Sequence, residues 1–149
     1  MRIYVLVGLP ASGKTTWLAR QGKPSLSSDS IRALITGDEA NQEHNGLVFS
    51  LLRSLVRARL SAGCPETWID ATALTRRERR SWIRLAQARG CPVEAVFFDT
   101  PLEVCMARNA GRGRVVPATA MQRMARLLTP PSLDEGFERI TVIRPSALS

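Results

Sequence analysis

Residues Gly8 to Thr15 read GLPASGKT and satisfy G-x-x-x-x-G-K-[ST] at every fixed position. The run follows an apolar, β-branched stretch, Arg2–Gly8 (RIYVLVG), and opens a helical one, Thr15 to Arg20. That strand–turn–helix setting is the one the motif's mechanism requires. Glycines let the backbone curl until several N–H groups converge, and the positive end of the following helix adds to their field. Gly8, Pro10, Ala11, Ser12, Gly13, Lys14, Thr15 and Thr16 are therefore expected to line a phosphate site. Lys14 would bridge the β- and γ-phosphates, and the Thr15 hydroxyl would hold the metal, a Mg²⁺ that joins them. The ligand this predicts is ATP or another nucleoside triphosphate, with Mg²⁺.

The rest of the chain alternates in the same way. Thr67–Asp70 and Pro92–Asp99 read as buried strands, with weaker candidates at Pro24–Ser28 and Glu138–Arg144. Asn45–Ala62 carries Leu47, Leu51, Leu55 and Val48, Leu52, Val56 at helical spacing, and Thr75–Arg89 places Trp82, Leu85 and Ala86 on one helical face. Pro101–Asn109 and Pro117–Leu128 each open on a proline, a residue preorganised for a first helical turn. Ala62-Gly63-Cys64-Pro65 and Arg89-Gly90-Cys91-Pro92 repeat one helix-to-strand junction, with glycine as a left-handed cap and proline as a stop. Strands separated by helices of this length imply a parallel sheet covered on both faces, within one domain spanning 1–149.

Composition narrows the partners. No apolar run approaches the ~18 residues of a membrane span, so no membrane association and a cytoplasmic location are expected. The dispersed Cys64, Cys91 and Cys105, with His44 as the single histidine, give no zinc constellation and suit packing in a reducing compartment. The net charge is +8 at pH 7, and only Lys14 and Lys23 among the 21 basic residues are lysines. A field of this sign favours polyanions, whether nucleic acid, nucleotides or acidic lipid. Arginine adds planar, two-pronged phosphate contacts.

In an open parallel sheet, ligands sit beyond the carboxyl ends of the strands. Asp29 and Asp70 fall at two such ends. Asp29 and Arg32 share one face of a first helical turn, where the carboxylate either accepts a proton from an attacking hydroxyl or merely caps the helix. Asp70 reads either as a Mg²⁺-associated carboxylate or as another cap. Arg108-Asn109-Ala110-Gly111-Arg112-Gly113-Arg114-Val115-Val116-Pro117 joins two helices and suits a mobile lid that brings a guanidinium onto phosphates; a solvated basic loop is the plainer reading. Arg76, Arg77, Arg79, Arg80 and Arg84 form a basic helix that either tracks a nucleic-acid backbone or is simply solvated. His44 reads as an exposed histidine.

Together these motifs resemble the polynucleotide 5′-hydroxyl kinase family, the kinase domain of the phage and bacterial end-healing enzymes, from about Ile3 to Leu128. GLPASGKTTW looks like that family's P-loop and tryptophan-bearing helix, and Ser28-Asp29-Ser30-Ile31-Arg32 like its D-x-x-R element. Ile69-Asp70-Ala71-Thr72 resembles its D-A-T strand end, and Arg108 through Arg112 to Val116-Pro117 its arginine lid. The resemblance implies an α/β P-loop NTPase fold of the adenylate-kinase-like kind. Such a fold has three layers: a mostly parallel sheet of about five strands, helices on both faces and an arginine-bearing lid over about 108–117. It implies transfer of the ATP γ-phosphate to a 5′-hydroxyl end of DNA or RNA. Asp29 would be the general base and Arg32 would contact an acceptor phosphate. Arg112, with Arg108 nearby, would reach the ATP phosphates, and Asp70 would be an essential carboxylate. Ala73 stands where the family often has asparagine, which removes any acceptor contact made there.

Two other readings remain open on the sequence: a P-loop kinase of a small hydroxyl acceptor such as a sugar, nucleoside or antibiotic, and a nucleotide-binding adaptor without transfer. The positive charge weighs against the first, and an acceptor base at Asp29 against the second.

Overall fold

The computed structural model describes residues 1–113 and 115–145. Strands and helices alternate as β1 (Arg2–Val7), α1 (Lys14–Gln21), β2 (Ser25–Ser27), α2 (Ser28–Thr36), α3 (Asn45–Ser61), β3 (Glu66–Asp70), α4 (Arg76–Ala88), β4 (Val93–Phe98), α5 (Leu102–Ala110), α6 (Ala118–Leu127) and β5 (Arg139–Ile143). The sheet order is β2-β3-β1-β4-β5, and every pairing is parallel. The chain leaves β1 toward one edge, returns to β3, then crosses to β4 on the other side. Strand order therefore reverses around β1, and the crevice such a reversal opens lies beyond its carboxyl end. The GLPASGKT turn leaves from that end.

Three apolar clusters account for the layers. Ile3, Val5 and Val7 on one face of β1 pack with Ile69, Ala95 and Phe97 against Val48, Leu52, Val56 and Leu60 of α3 and Trp82, Ile83, Leu85 and Ala86 of α4. The opposite face turns Leu6, Trp68, Val96 and Phe98 toward Leu18 and Trp17 of α1. α5 and α6 close a third cluster, in which Cys105 and Met121 meet Leu9 of the turn and Leu74 of the β3–α4 loop. Burial on both sides explains why β4 is buried along its whole length, whereas edge strand β5 is mostly exposed.

Helix ends follow the sequence punctuation. Gly63 (φ 75°) and Gly90 (φ 62°) both adopt the left-handed conformation. At the first junction, Cys64 N–H donates to Arg59 O and Gly63 N–H to Leu60 O; at the second, Cys91 N–H donates to Ala86 O and Gly90 N–H to Gln87 O. This double pattern is the Schellman ending. Cys91 and Cys105 are buried and reduced, as packing residues should be, and Cys64 is half-buried.

Two expectations need correction. Pro101 and Pro117 sit at the N-cap with extended ψ (145° and 142°), one residue outside the helices they precede. Leu47, Leu51 and Leu55 of α3 are exposed at 51%, 41% and 44%. They lie one position, about 100° of rotation, from the Val48–Leu52–Val56 row, and the sheet covers only that row.

Candidate active site

The turn after β1 is shaped by backbone requirements that its residues meet. Gly13 has φ 106°, and Ala11 is the single non-glycine residue at positive φ (63°) among those described, a placement costing about 1–2 kcal/mol. A Cβ on Gly8 would lie 2.6 Å from Ser12 Oγ and 3.0 Å from Phe98 Cβ, so only glycine fits there. Thr100 Oγ1 donates to Ser12 O at 2.9 Å and ties the turn to the segment after β4. The Ser12 hydroxyl is buried without a hydrogen-bond partner. Lys14 Nζ folds back to donate to Gly8 O at 2.9 Å.

Electrostatics gather the remaining groups around that amine. Burial pushes the Lys14 pKa down; the carboxylates of Asp70 and then Asp29 push it back up, and Arg112 lowers it further. Lys14 is thus a half-buried cation beside a buried hydroxyl that lacks a partner. Thr15 and Thr16 stand exposed in the first turn of α1, within reach of whatever the turn holds. No group of three His, Cys, Asp or Glu side chains suited to a metal occurs among the described residues. A hard divalent ion that keeps most of its waters would fit this donor set, with the Thr15 hydroxyl as the residue that would hold it.

β2 runs directly into α2, and this places Asp29 at the rim. The N-cap of α2 is Ser27, whose side chain accepts from Ser30 N–H at 3.2 Å, so Asp29 is not the cap. Its carboxylate is 47% exposed, while its partner Arg32 is only 5% exposed, with Arg32 Nη1 donating to Asp29 Oδ1 at 2.8 Å. Arg32 Nη2 donates to Asn45 Oδ1 at 2.8 Å, and Asn45 Nδ2 to Gln42 Oε1 at 3.0 Å. Nε of Arg32 is buried and without a partner. Each Nη atom has one acceptor and keeps a second N–H, so Arg32 has donors beyond those that hold Asp29 and Asn45. Asp70 ends β3 opposite Ser27 in the register, half-buried, and α4 is capped by Thr75.

The arginine segment is fastened at its base. Asn109, buried at the end of α5, donates from Nδ2 to Val116 O at 2.7 Å and accepts at Oδ1 from Val116 N–H at 3.0 Å. Arg108 sits beside the turn, its Nη1 3.6 Å from where a Cβ on Gly13 would be. Arg112 is exposed beyond the clasp, close enough for its charge to act on Lys14. Arg114 lies outside the described residues.

The α4 arginines do not act together. Arg79 is fully buried: Nε and Nη2 donate to the two Glu135 carboxylate oxygens at 2.9 and 3.0 Å, and Nη1 to Ala73 O and Leu74 O. Arg76 pairs with Asp134, leaving Arg77, Arg80 and Arg84 exposed. A solvated row was half the expectation, and the spacing that places Arg79 on the Trp82–Ala86 face was its only warning. Asn45, Thr100 and Asn109 were likewise not singled out, because each acts through a partner distant in sequence or through backbone atoms.

A sequence profile described as an AAA domain matches residues 3–131. Among solved structures, a chain of the Pnkp1/Rnl/Hen1 RNA repair complex superposes with a TM-score of 0.74 at 22% identity, over 85% of this chain and 43% of that one. A sugar kinase from Janibacter sp. HTCC2649 gives 0.67 at 24% identity, over 97% and 85%. Shikimate kinase from Acinetobacter baumannii, in complex with shikimate, gives 0.56 at 21% identity, over 98% and 85%. The chain thus has the P-loop kinase fold, and it spans under half the length of the repair-complex chain.

Proposed function

From the premise that this chain belongs to the AAA domain family matched over residues 3–131, we propose that it transfers the γ-phosphate of ATP, with Mg²⁺, to the 5′-hydroxyl end of DNA or RNA. The observation that supports this reading above others is the Asp29–Arg32 pair: an exposed carboxylate clamped at 2.8 Å by a buried guanidinium, its charge acting on Lys14. In this reading the turn and Lys14 hold the triphosphate, whose negative charge repays the burial of the amine. Mg²⁺, when bound at Thr15, neutralises charge that develops on the phosphoryl oxygens. Asp29 takes the proton of the attacking hydroxyl, and Arg32 keeps its carboxylate from turning away. Arg112 closes from the lid onto the transferred group, with Arg108 already beside the turn. Positioning and charge supply most of the acceleration, because the phosphoryl group in flight is loosely bonded.

A small hydroxyl acceptor is the second reading, favoured by one observation: this chain spans 85% of the sugar kinase but 43% of the repair-complex chain. Incubation with γ-labelled ATP and a panel of 5′-hydroxyl oligonucleotides, sugars and nucleosides separates them. Label on oligonucleotides is expected; label confined to a small acceptor overturns the proposal, and nucleotide binding without any labelled acceptor leaves an adaptor.

A further inference from the structure

The face of the molecule formed by α3 and α4 carries a second concentration of positive charge, away from the phosphate turn. Arg53 and Arg57 of α3 face Arg84 of α4 and Arg89 at its end across a cleft of about 360 Å³, with Ser81 between them. No carboxylate lines it. Among the described residues none of Arg53, Arg57 and Arg84 forms an ion pair, and the Arg89 guanidinium donates to Ser61 Oγ at 3.2 Å and to no carboxylate. Of the other arginines on these helices, Arg76 and Arg79 have acidic partners and Arg59 is spent on Thr67 Oγ1 and Glu66 O, while Arg77 and Arg80 are exposed outside the cleft.

Such an arrangement is unfavourable by itself. Arg53 and Arg57 are spaced four residues apart, so α3 holds two like charges on one face, and the cleft sets them opposite Arg84 and Arg89. An anion with several phosphates at regular spacing relieves that repulsion, and guanidinium groups suit it better than ammonium groups because each offers two parallel donors. One wall of the cleft, α3, also leads to the candidate active site. α3 begins at Asn45, which holds Arg32 and through it Asp29. Arg53 follows eight residues later, about 12 Å along the helix axis. At roughly 3.4 Å per stacked nucleotide, about four nucleotides cover that distance.

We propose that the α3–α4 cleft is a phosphodiester-binding exosite that holds the body of a single-stranded nucleic acid whose 5′ end lies at Asp29. This deepens the polynucleotide reading and rests on it for the position of the 5′ end, but binding to the cleft can be measured without transfer. The probe is a fluorescein-labelled 20-nucleotide single-stranded DNA with a 5′-hydroxyl, titrated without ATP against the whole chain and against the triple variant Arg53→Gln, Arg57→Gln, Arg84→Gln at several salt concentrations. The cleft these three side chains line includes none of the residues assigned to the phosphate turn or to Asp29, and equal melting temperatures of the two proteins check that the surface change leaves the fold intact. Each lost phosphate contact on a single strand lowers the slope of log K against log salt by about 0.7, so the variant should lose about 2 from the slope. With ATP present, KM for the 20-mer should rise about tenfold, while kcat, and KM for a trinucleotide too short to reach the cleft, stay within twofold.

Equal slopes and equal 20-mer affinity overturn the exosite, whatever the transfer assay gives. Arginine-dependent binding to phosphatidylserine vesicles in place of the oligonucleotide overturns it too, in favour of a lipid surface. Absence of transfer to any oligonucleotide, with the slope difference intact, leaves the exosite standing and removes the 5′-hydroxyl kinase reading.

Discussion

Two buried arginines lie behind the segments that follow neighbouring strands, β2 and β3, and the differences between them separate support from chemistry. Arg79 lies behind the β3–α4 loop and Arg32 behind the β2–α2 junction, with exposures of 0% and 4%. All three Arg79 nitrogens are engaged: a two-pronged pair with Glu135, itself only 3% exposed, and two bonds to the carbonyls of Ala73 and Leu74. Arg32 has one nitrogen unmatched, and the carboxylate it holds stands 47% exposed at the rim. The first arrangement is closed on itself. The second is unfinished on the protein side, which is the condition of a site that meets a ligand.

The difference is broken most directly at Asp29. Asp29→Asn removes the proton acceptor yet keeps an oxygen for Arg32, so labelled-phosphate transfer should fall by about 10²–10⁴-fold. ATP affinity, followed by nucleotide fluorescence, should remain within about twofold. Retained transfer would dismiss Asp29 as the base and leave its pairing with Arg32 a matter of stability alone. Arg79→Ala should move the opposite quantity. It strands Glu135 in the interior and should lower unfolding free energy by about 3–5 kcal/mol in urea melts. The double replacement Arg79→Met, Glu135→Leu should recover most of that loss, because an apolar pair of similar bulk avoids the desolvation of two charges. If the double variant is as unstable as the single one, the carbonyl bonds to Ala73 and Leu74 matter more than the ion pair.

The same contrast explains what could be read from the chain beforehand. Periodicity and punctuation placed the strands and the helices because both depend on neighbours within a few residues: the β-branched runs of β1 and β4, the glycine caps at Gly63 and Gly90. The Asp29–Arg32 contact was legible for the same reason, since three residues of helix bring it about. Arg79 was not, because its partner Glu135 is 56 residues away and nothing in a basic run reveals which member turns inward. The exposed leucine row of α3 escaped notice similarly: two rows at helical spacing look alike until the sheet covers one of them. Asn109 stood in view within the arginine segment, yet its clasp on Val116 is made to backbone atoms, for which a sequence carries no mark.

Asn45 sharpens the comparison with the smallest change. It supplies Arg32 with its second acceptor and so has the position that Ala73 O and Leu74 O have for Arg79, except that it is a side chain and can be removed. Asn45→Ala leaves Arg32 Nη2 without a partner beside the unmatched Nε, at a cost of about 1–3 kcal/mol in stability. If Arg32 exists to fix Asp29, looser anchoring should also lower kcat, by about fivefold for each 1 kcal/mol of lost positioning, with KM for ATP unchanged. Asn45→Asp retains an acceptor at the same atom and should return kcat to within about twofold of the parent. A melting-temperature loss in Asn45→Ala with kcat unaltered would make Arg32 a second Arg79, a strut that happens to end in a visible carboxylate, and Asp29 would then owe its orientation to something other than the buried guanidinium.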